Sequence, residues 1–407
     1  AVFEYTRNRY RHVVLPFLKN ANTQNKKFKD FMSVSSMDDK NQALMKLLFS
    51  DANLESDMVV GFKGNPNIGS VVLDQISTSP EFVQFCNDFQ CGDRIFIISS
   101  IFGGTGASGF PLLAKIFKKG QTLADGRQMP NNNLLNNAML GAVTVLPYFN
   151  LQQDANSAID SGTFISKTKA ALSYYVNGVN ENVNSLYYIG DSEKQKTYEN
   201  CEGGKDQKNK SHVVELASAL AIVDFANDIA LDENSCNKKE FGIKEIRSNE
   251  SIVLSDLGEV SKERVAKQLI QMMLFERHIT KEFDTQRKSQ TWAKDPGFDD
   301  TFASSIFIKE IKKILSEDYA KWLTEMANND VSFAPFNLSD SCKLLDRVNG
   351  LKVKTSFFGK NHEAFFESEL NSEGKGKTSP NGMKENLMME LYYNATLKTV
   401  NEKFPNI

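Results

Sequence analysis

Apolar and polar positions along this chain follow two periods. Short apolar runs bounded by turn formers predict strands at residues 57–62, 95–98, 140–146 and 185–190. Between them, helical spacing predicts helices over 70–76, 79–85, 110–117, 154–177 and 209–225, with Pro111 in the first turn of its helix. Such alternation predicts an α/β fold, a parallel sheet with helices on both faces. Residues 1–60 read as mostly helical and polar, with helices at 10–18, 27–32 and 42–49 and a loop at 20–27, and 118–137 reads as a polar loop. In the stretch 209–225, apolar residues wrap nearly all round the helix, which predicts burial between layers. Beyond residue 235 the pattern weakens to a strand at 251–254 and helices at 261–283, 302–326 and 382–404. The expected division is 1–226 and 227–407, the second domain being α+β or mainly helical.

Composition bounds the function. The chain has 407 residues, 41% hydrophobic and 24% charged, enough for a sizeable core. A net charge of −3 leaves no electrostatic footprint for nucleic acid. The cysteines (Cys86, Cys91, Cys201, Cys236, Cys342) are odd in number and form no C-x-x-C pair, so neither a disulfide framework nor a zinc site is indicated. No signal peptide or membrane span is legible, and the cytoplasm is the expected compartment. No internal repeat is visible.

The candidate chemistry lies at residues 102–109, Phe-Gly-Gly-Thr-Gly-Ala-Ser-Gly, between strand 95–98 and helix 110–117. A strand, a glycine turn and a helix start together can hold phosphate. Glycines let the backbone approach the anion, and free N–H groups point at it. Thr105 and Ser108 add hydroxyls, although a plain tight turn is the other reading. Gly376-Lys377-Thr378 ends like a Walker A loop, but Asn371 stands where its first glycine belongs and no strand precedes it, so it is not a P-loop.

Three motifs in order resemble the tubulin/FtsZ superfamily. Gly103-Gly104-Thr105-Gly106 resembles its signature loop, with Phe102 in place of the first glycine and Ala107-Ser108-Gly109 as a loose match for the end. Gly64-Asn65-Pro66-Asn67-Ile68-Gly69 is similar to the loop facing the γ-phosphate, and residues 142–149 to the following strand. The resemblance covers roughly residues 57–226. It implies GTP or GDP with Mg²⁺, phosphates held by Gly64, Asn65, Gly103, Gly104, Thr105, Gly106 and Ser108, and head-to-tail self-association. It also makes 209–225 the helix joining the two domains. Asn209 aligns with the residue that reads guanine, and is equally well a helix N-cap. His212 is expected to be a buried core residue.

Two departures bear on activity. The family's catalytic loop is matched by 226–234 with carboxylates at Asp228 and Asp232 but at a different spacing, and an ordinary solvated turn reads as well. Nothing in 1–60 has the form of the family's first phosphate loop, and the expectation is that the first strand and loop fall outside this chain. Three readings follow: a self-assembling GTP-binding protein with GTPase activity; a degenerate scaffold on the same fold; and an NAD(P) oxidoreductase. The last is disfavoured because its glycine turn should follow the first strand and because no Tyr-x-x-x-Lys pair exists. On the first reading, Gly104 and Gly106 should tolerate no side chain, and Gly106→Val should abolish nucleotide binding with the fold intact.

Overall fold

The computed structural model describes residues 2–4, 9–11, 26–58, 61–153, 159, 161–190, 197–201, 210–232, 235–240, 251–329, 332–354, 362–379 and 383–407. The chain forms two compact units, one of Ala1–Asn209 with Val214–Phe241 and one of Lys210–Val213 with Gly242–Ile407.

In the first unit, Val2–Glu4 pairs antiparallel with Arg9–Arg11, so Tyr10 and Arg11 are in a strand and not in the expected helix. The remainder of that helix, 12–18, lies outside the described residues. Helix α1 (Asp39–Leu48) starts where Asp38 accepts from the backbone N–H groups of Lys40 and Asn41. Helix α2 (Pro66–Leu73) begins four residues before the expected 70, because Asn65 caps it and Pro66 suits its first turn. Phe28, Met45, Leu54, Ile68 and Val72 close a small core beneath them. At the expected strand 57–62, Asp57 makes one antiparallel bridge to Lys27, while Val59 and Val60 lie outside the described residues.

Strands β1 (Arg94–Ser100), β2 (Met139–Val145), β3 (Ser185–Ile189) and β4 (Asn237–Glu240) form one parallel sheet in that order. Side chains alternate between faces. Ile95, Leu140, Ala142 and Leu186 pack with helices α3 (Pro80–Asp88), α4 (Thr105–Lys119) and α5 (Phe164–Gly178), through Phe82, Phe110, Phe117 and Tyr175. Val143, Val145, Tyr187 and Ile189 face the other way, onto α6 (Val213–Asn227). Gly141 permits this contact: a Cβ there would lie 2.7 Å from the Phe225 ring. The sheet is therefore covered on both faces, as alternation predicts.

Other expectations change as well. Helix α6 starts at Val213 and buries one stripe, Val214, Ala217, Ser218, Ala221 and Phe225, whereas Glu215 and Val223 are exposed. Residues 118–137 are not a bare loop but contain a bridge between Thr122 and Gln128 and the helix Asn132–Asn137. The polar strand β4 carries the first unit past residue 226.

The second unit is mainly helical. Helix α7 (Glu259–Arg277) runs into a π-helical turn, His278–Glu282, and then Phe283–Gln286. The expected helix 302–326 is several shorter pieces, with Ser305 capping one of them by accepting from the Ile308 N–H. Ile252 makes one parallel bridge to Phe333 in place of the expected strand. Helices α8 (His362–Gly374) and α9 (Lys384–Lys403) complete a core around Trp292, Phe283, Phe298 and Tyr392. His212 is buried, as expected. No helix among the described residues is long and apolar enough to cross a membrane.

Candidate functional site

The site lies at the carboxyl ends of β1 and β2, the usual ligand edge of a parallel sheet. Strand β1 ends at Ser100 and α4 begins at Thr105, so the glycine turn is residues 101–104 only. Pro111 consequently sits inside α4, beyond its first turn. The second turn is wound by left-handed residues: Gly61, Lys63 and Gly64 have φ of 90°, 44° and 74°.

The fold brings the two turns together. A Cβ on Gly104 would fall 3.0 Å from the Phe62 Cβ and 3.1 Å from the backbone nitrogens of Gly64 and Asn65. One on Gly61 would fall 2.9 Å from the Thr105 hydroxyl. Residues separated by some forty positions thus share one small volume. Thr105 is exposed at the helix start, where the first-turn N–H groups have no intrahelical partner. Lys167 of α5 donates to the Gly64 carbonyl at 2.9 Å and adds a cation beside the turn.

Other expected ligands are committed to the protein itself. Asn65 Oδ1 accepts from the N–H groups of Asn67 at 3.1 Å and Ile68 at 3.3 Å, and its own N–H donates to the Phe62 carbonyl. The Ser108 hydroxyl donates to the Gly104 carbonyl at 2.7 Å, so it bonds back to its own helix. Gly106 serves helix-on-strand packing: a Cβ would meet the Ser100 nitrogen at 2.9 Å and oxygen at 3.0 Å. None of Gly103, Gly104 and Gly106 has positive φ, so close approach and not handedness selects glycine here.

Next to the turns opens a cavity of about 600 Å³. Ser99, Ser100, Gly64 and Gly103 form its polar edge, Phe102, Tyr148, Phe149 and Phe164 its aromatic wall, and Val214, Glu215 and Ser218 of α6 its opposite side. The Ser99 hydroxyl is buried with no hydrogen-bond partner among the described residues. Burial, reinforced by the charge of Glu215, pushes the Tyr148 phenol up to about 12, so it stays protonated. The acidic lining groups are Glu199 and Glu215, and no Lys or Arg is among the described lining residues.

Asp228 and Asp232 lie at the opposite, amino-terminal edge of the sheet. Arg94, which opens β1, donates to the Asp228 carbonyl at 2.9 Å, and Asn184, just before β3, donates to the Asp232 carbonyl at 3.0 Å. The Asp228 carboxylate pairs with Lys239 of β4 at 2.8 Å, which holds it below the ordinary carboxylate range. The two aspartates and the glycine turns are separated by the length of β1, roughly 20 Å, and do not meet within one chain. Asn209 lies outside the described residues. No group of three or more metal-ligating side chains occurs among the described residues.

Sequence reasoning missed Lys167, Ser99 and Glu215. Lys167 and Ser99 carry no local motif, and Glu215 is a lone glutamate in a mostly apolar helix. No family model, curated protein or solved structure matches this chain.

Proposed function

We propose that this chain is a tubulin/FtsZ-like protein that takes GTP or GDP at the carboxyl edge of its sheet and self-associates head to tail. The observation that carries the reading is the close approach of the two turns, Gly61 to Thr105 and Gly104 to Gly64 and Asn65, with Gly64 and Gly103 on the edge of the cavity. Backbone N–H groups at the start of the 15-residue helix α4 suit a phosphate, and the aromatic wall suits a base or sugar. Head-to-tail contact would bring Asp228 and Asp232 of one copy to the cavity of the next, where hydrolysis would occur. On this reading the phosphate arrives with Mg²⁺. The ion would neutralise charge, with Glu199 and Glu215 as its nearest protein candidates, while Ser99 and the turn N–H groups orient the phosphate.

The test is thermal unfolding with GTP, GDP and ATP, each with and without Mg²⁺. A ligand at a hundredfold excess over Kd stabilises by about 2.7 kcal/mol. The expected result is a rise with guanine nucleotides that needs Mg²⁺, together with GTP-dependent sedimentation. Equal or greater stabilisation by ATP removes the guanine assignment. No shift with any nucleotide favours the second reading, a scaffold without nucleotide. That reading rests on the internal engagement of Asn65, Gly106 and Ser108.

A further inference from the structure

The second unit contains a guanidinium with one donor that meets no acceptor among the described residues. Arg347 is 3% exposed. Its Nη1 donates to the Asn337 carbonyl at 3.0 Å, and its Nη2 has no acceptor among the described residues. Burying a cation with a donor unsatisfied is expensive, so such a group points to a missing acceptor. Arg347 lines a cavity of about 220 Å³, roughly seven times the volume of liquid water per molecule.

Two more cations line the same cavity. Arg277 ends α7 and Lys281 lies in the π-helical turn His278–Glu282, an irregularity common at functional sites. Both reach the carboxylate of Asp340, at 2.9 and 3.5 Å. The Asp340 side chain is 74% exposed, so little packing holds it there. Among the described residues the carboxylates of Glu282 and Glu367 also line the cavity, and Glu276 acts on Arg347 through its charge. Glu276 has its carboxyl raised by burial, and Glu367 accepts from the Gln286 amide. His278 is engaged through both ring nitrogens, with Tyr392 at 2.7 Å and Gln286 at 3.0 Å.

We propose that this cavity is an oxyanion site, taking one phosphate or carboxylate group between Arg347, Arg277 and Lys281. Asp340 occupies the outer part of the site as an internal stand-in that an incoming anion displaces. A planar guanidinium matches either oxyanion with paired donors, and the second arginine and the lysine add charge. The site belongs to the second unit and does not depend on nucleotide binding by the first.

The intact chain is tested with inorganic phosphate and, separately, acetate at constant ionic strength. The readouts are melting temperature and alkylation of Cys342, which is half-buried in the cavity wall. The exposed Cys91 is the internal reference. The anion should slow alkylation of Cys342 and not of Cys91. Asp340→Asn should tighten binding about tenfold by removing the competing charge. The rim variant Arg277→Gln/Lys281→Gln, which spares buried Arg347, should lose the protection. Protection by phosphate alone assigns a phosphate group, and protection by acetate alone a carboxylate. Unchanged Cys342 alkylation with either anion, in both the unmodified chain and Asp340→Asn, overturns the proposal. So does protection that the rim variant retains in full.

Discussion

Replacing Gly106 by alanine tests whether the glycine turn is built for packing or for a ligand. The added methyl would sit 2.9 Å from the Ser100 nitrogen, 3.0 Å from its oxygen and 3.1 Å from the Ser99 Cβ. Two of these neighbours are backbone atoms at the end of β1, which cannot rotate away. Forcing a methyl into such a contact costs about 1–3 kcal/mol. At roughly 2–4 °C per kcal/mol for a unit of this size, the transition should fall by about 2–12 °C. Gly103→Ala is the control. Its Cβ would meet only the Ser100 hydroxyl at 2.8 Å, and that oxygen can turn aside. Its cost should stay under about 1 kcal/mol, within the usual range for mild substitutions. Scanning calorimetry of both variants without nucleotide makes the comparison. A Gly106→Ala protein that melts within a degree of the unmodified chain would refute the packing argument. It would return Gly106 to the role expected from sequence, a ligand contact with no part in the fold.

Two further predictions concern protons. Burial lowers the His278 pKa to about 4 from an unfolded value near 6.5, so the unfolded chain binds more protons between them. Stability of the second unit should therefore drop as pH falls from about 6.5 to 4, by about 3 kcal/mol. The His278 ring proton should show no titration above pH 5 by NMR, and a midpoint near 6.5 in the folded chain would contradict its burial. The Asp228 carboxylate is held low by Lys239, so its contribution is complete above the unfolded value of about 4 and fades as pH falls through its folded value. Asp228→Asn should flatten the acid limb of the urea-stability profile, and an unchanged limb would show that the pair is not felt.

The strands β1, β2 and β3 were legible because each is an apolar run closed by turn residues, and both faces of a covered parallel sheet must be apolar. Strand β4 was not, because Asn237, Lys238, Lys239 and Glu240 form a polar edge that only the neighbouring β3 identifies as a strand. The start of α4 was misplaced since Gly-Thr-Gly reads as turn, yet Gly106 is helical because the helix must approach β1 closely. At the site, the glycines were visible, but not what each one touches. Asn65 and Ser108 look like free ligands in a sequence, and their bonds to α2 and α4 follow from where those helices begin. The Arg347 cavity left no trace in the pattern, as its three cations come from two distant segments.

The order of the four strands in the sheet is also their order along the chain. Each new strand of these four therefore finds a partner already made. A sheet with an interleaved order must hold an unpaired edge open until a later segment arrives, while here pairing can advance one βαβ step at a time. Each pairing still closes a stretch of about 44 to 52 residues, as Arg94 with Met139, Gly141 with Ser185 and Ser185 with Asn237, and long-range parallel pairing of this kind is slow. During synthesis the first face can close as soon as α5 and β3 have emerged. Among the described residues the cover of the opposite face is α6, complete at Asn227, and Val143, Val145, Tyr187 and Ile189 wait for it. A ribosome stalled between β3 and α6 would thus present an apolar sheet face, and that is the stage at which this chain most needs a chaperone.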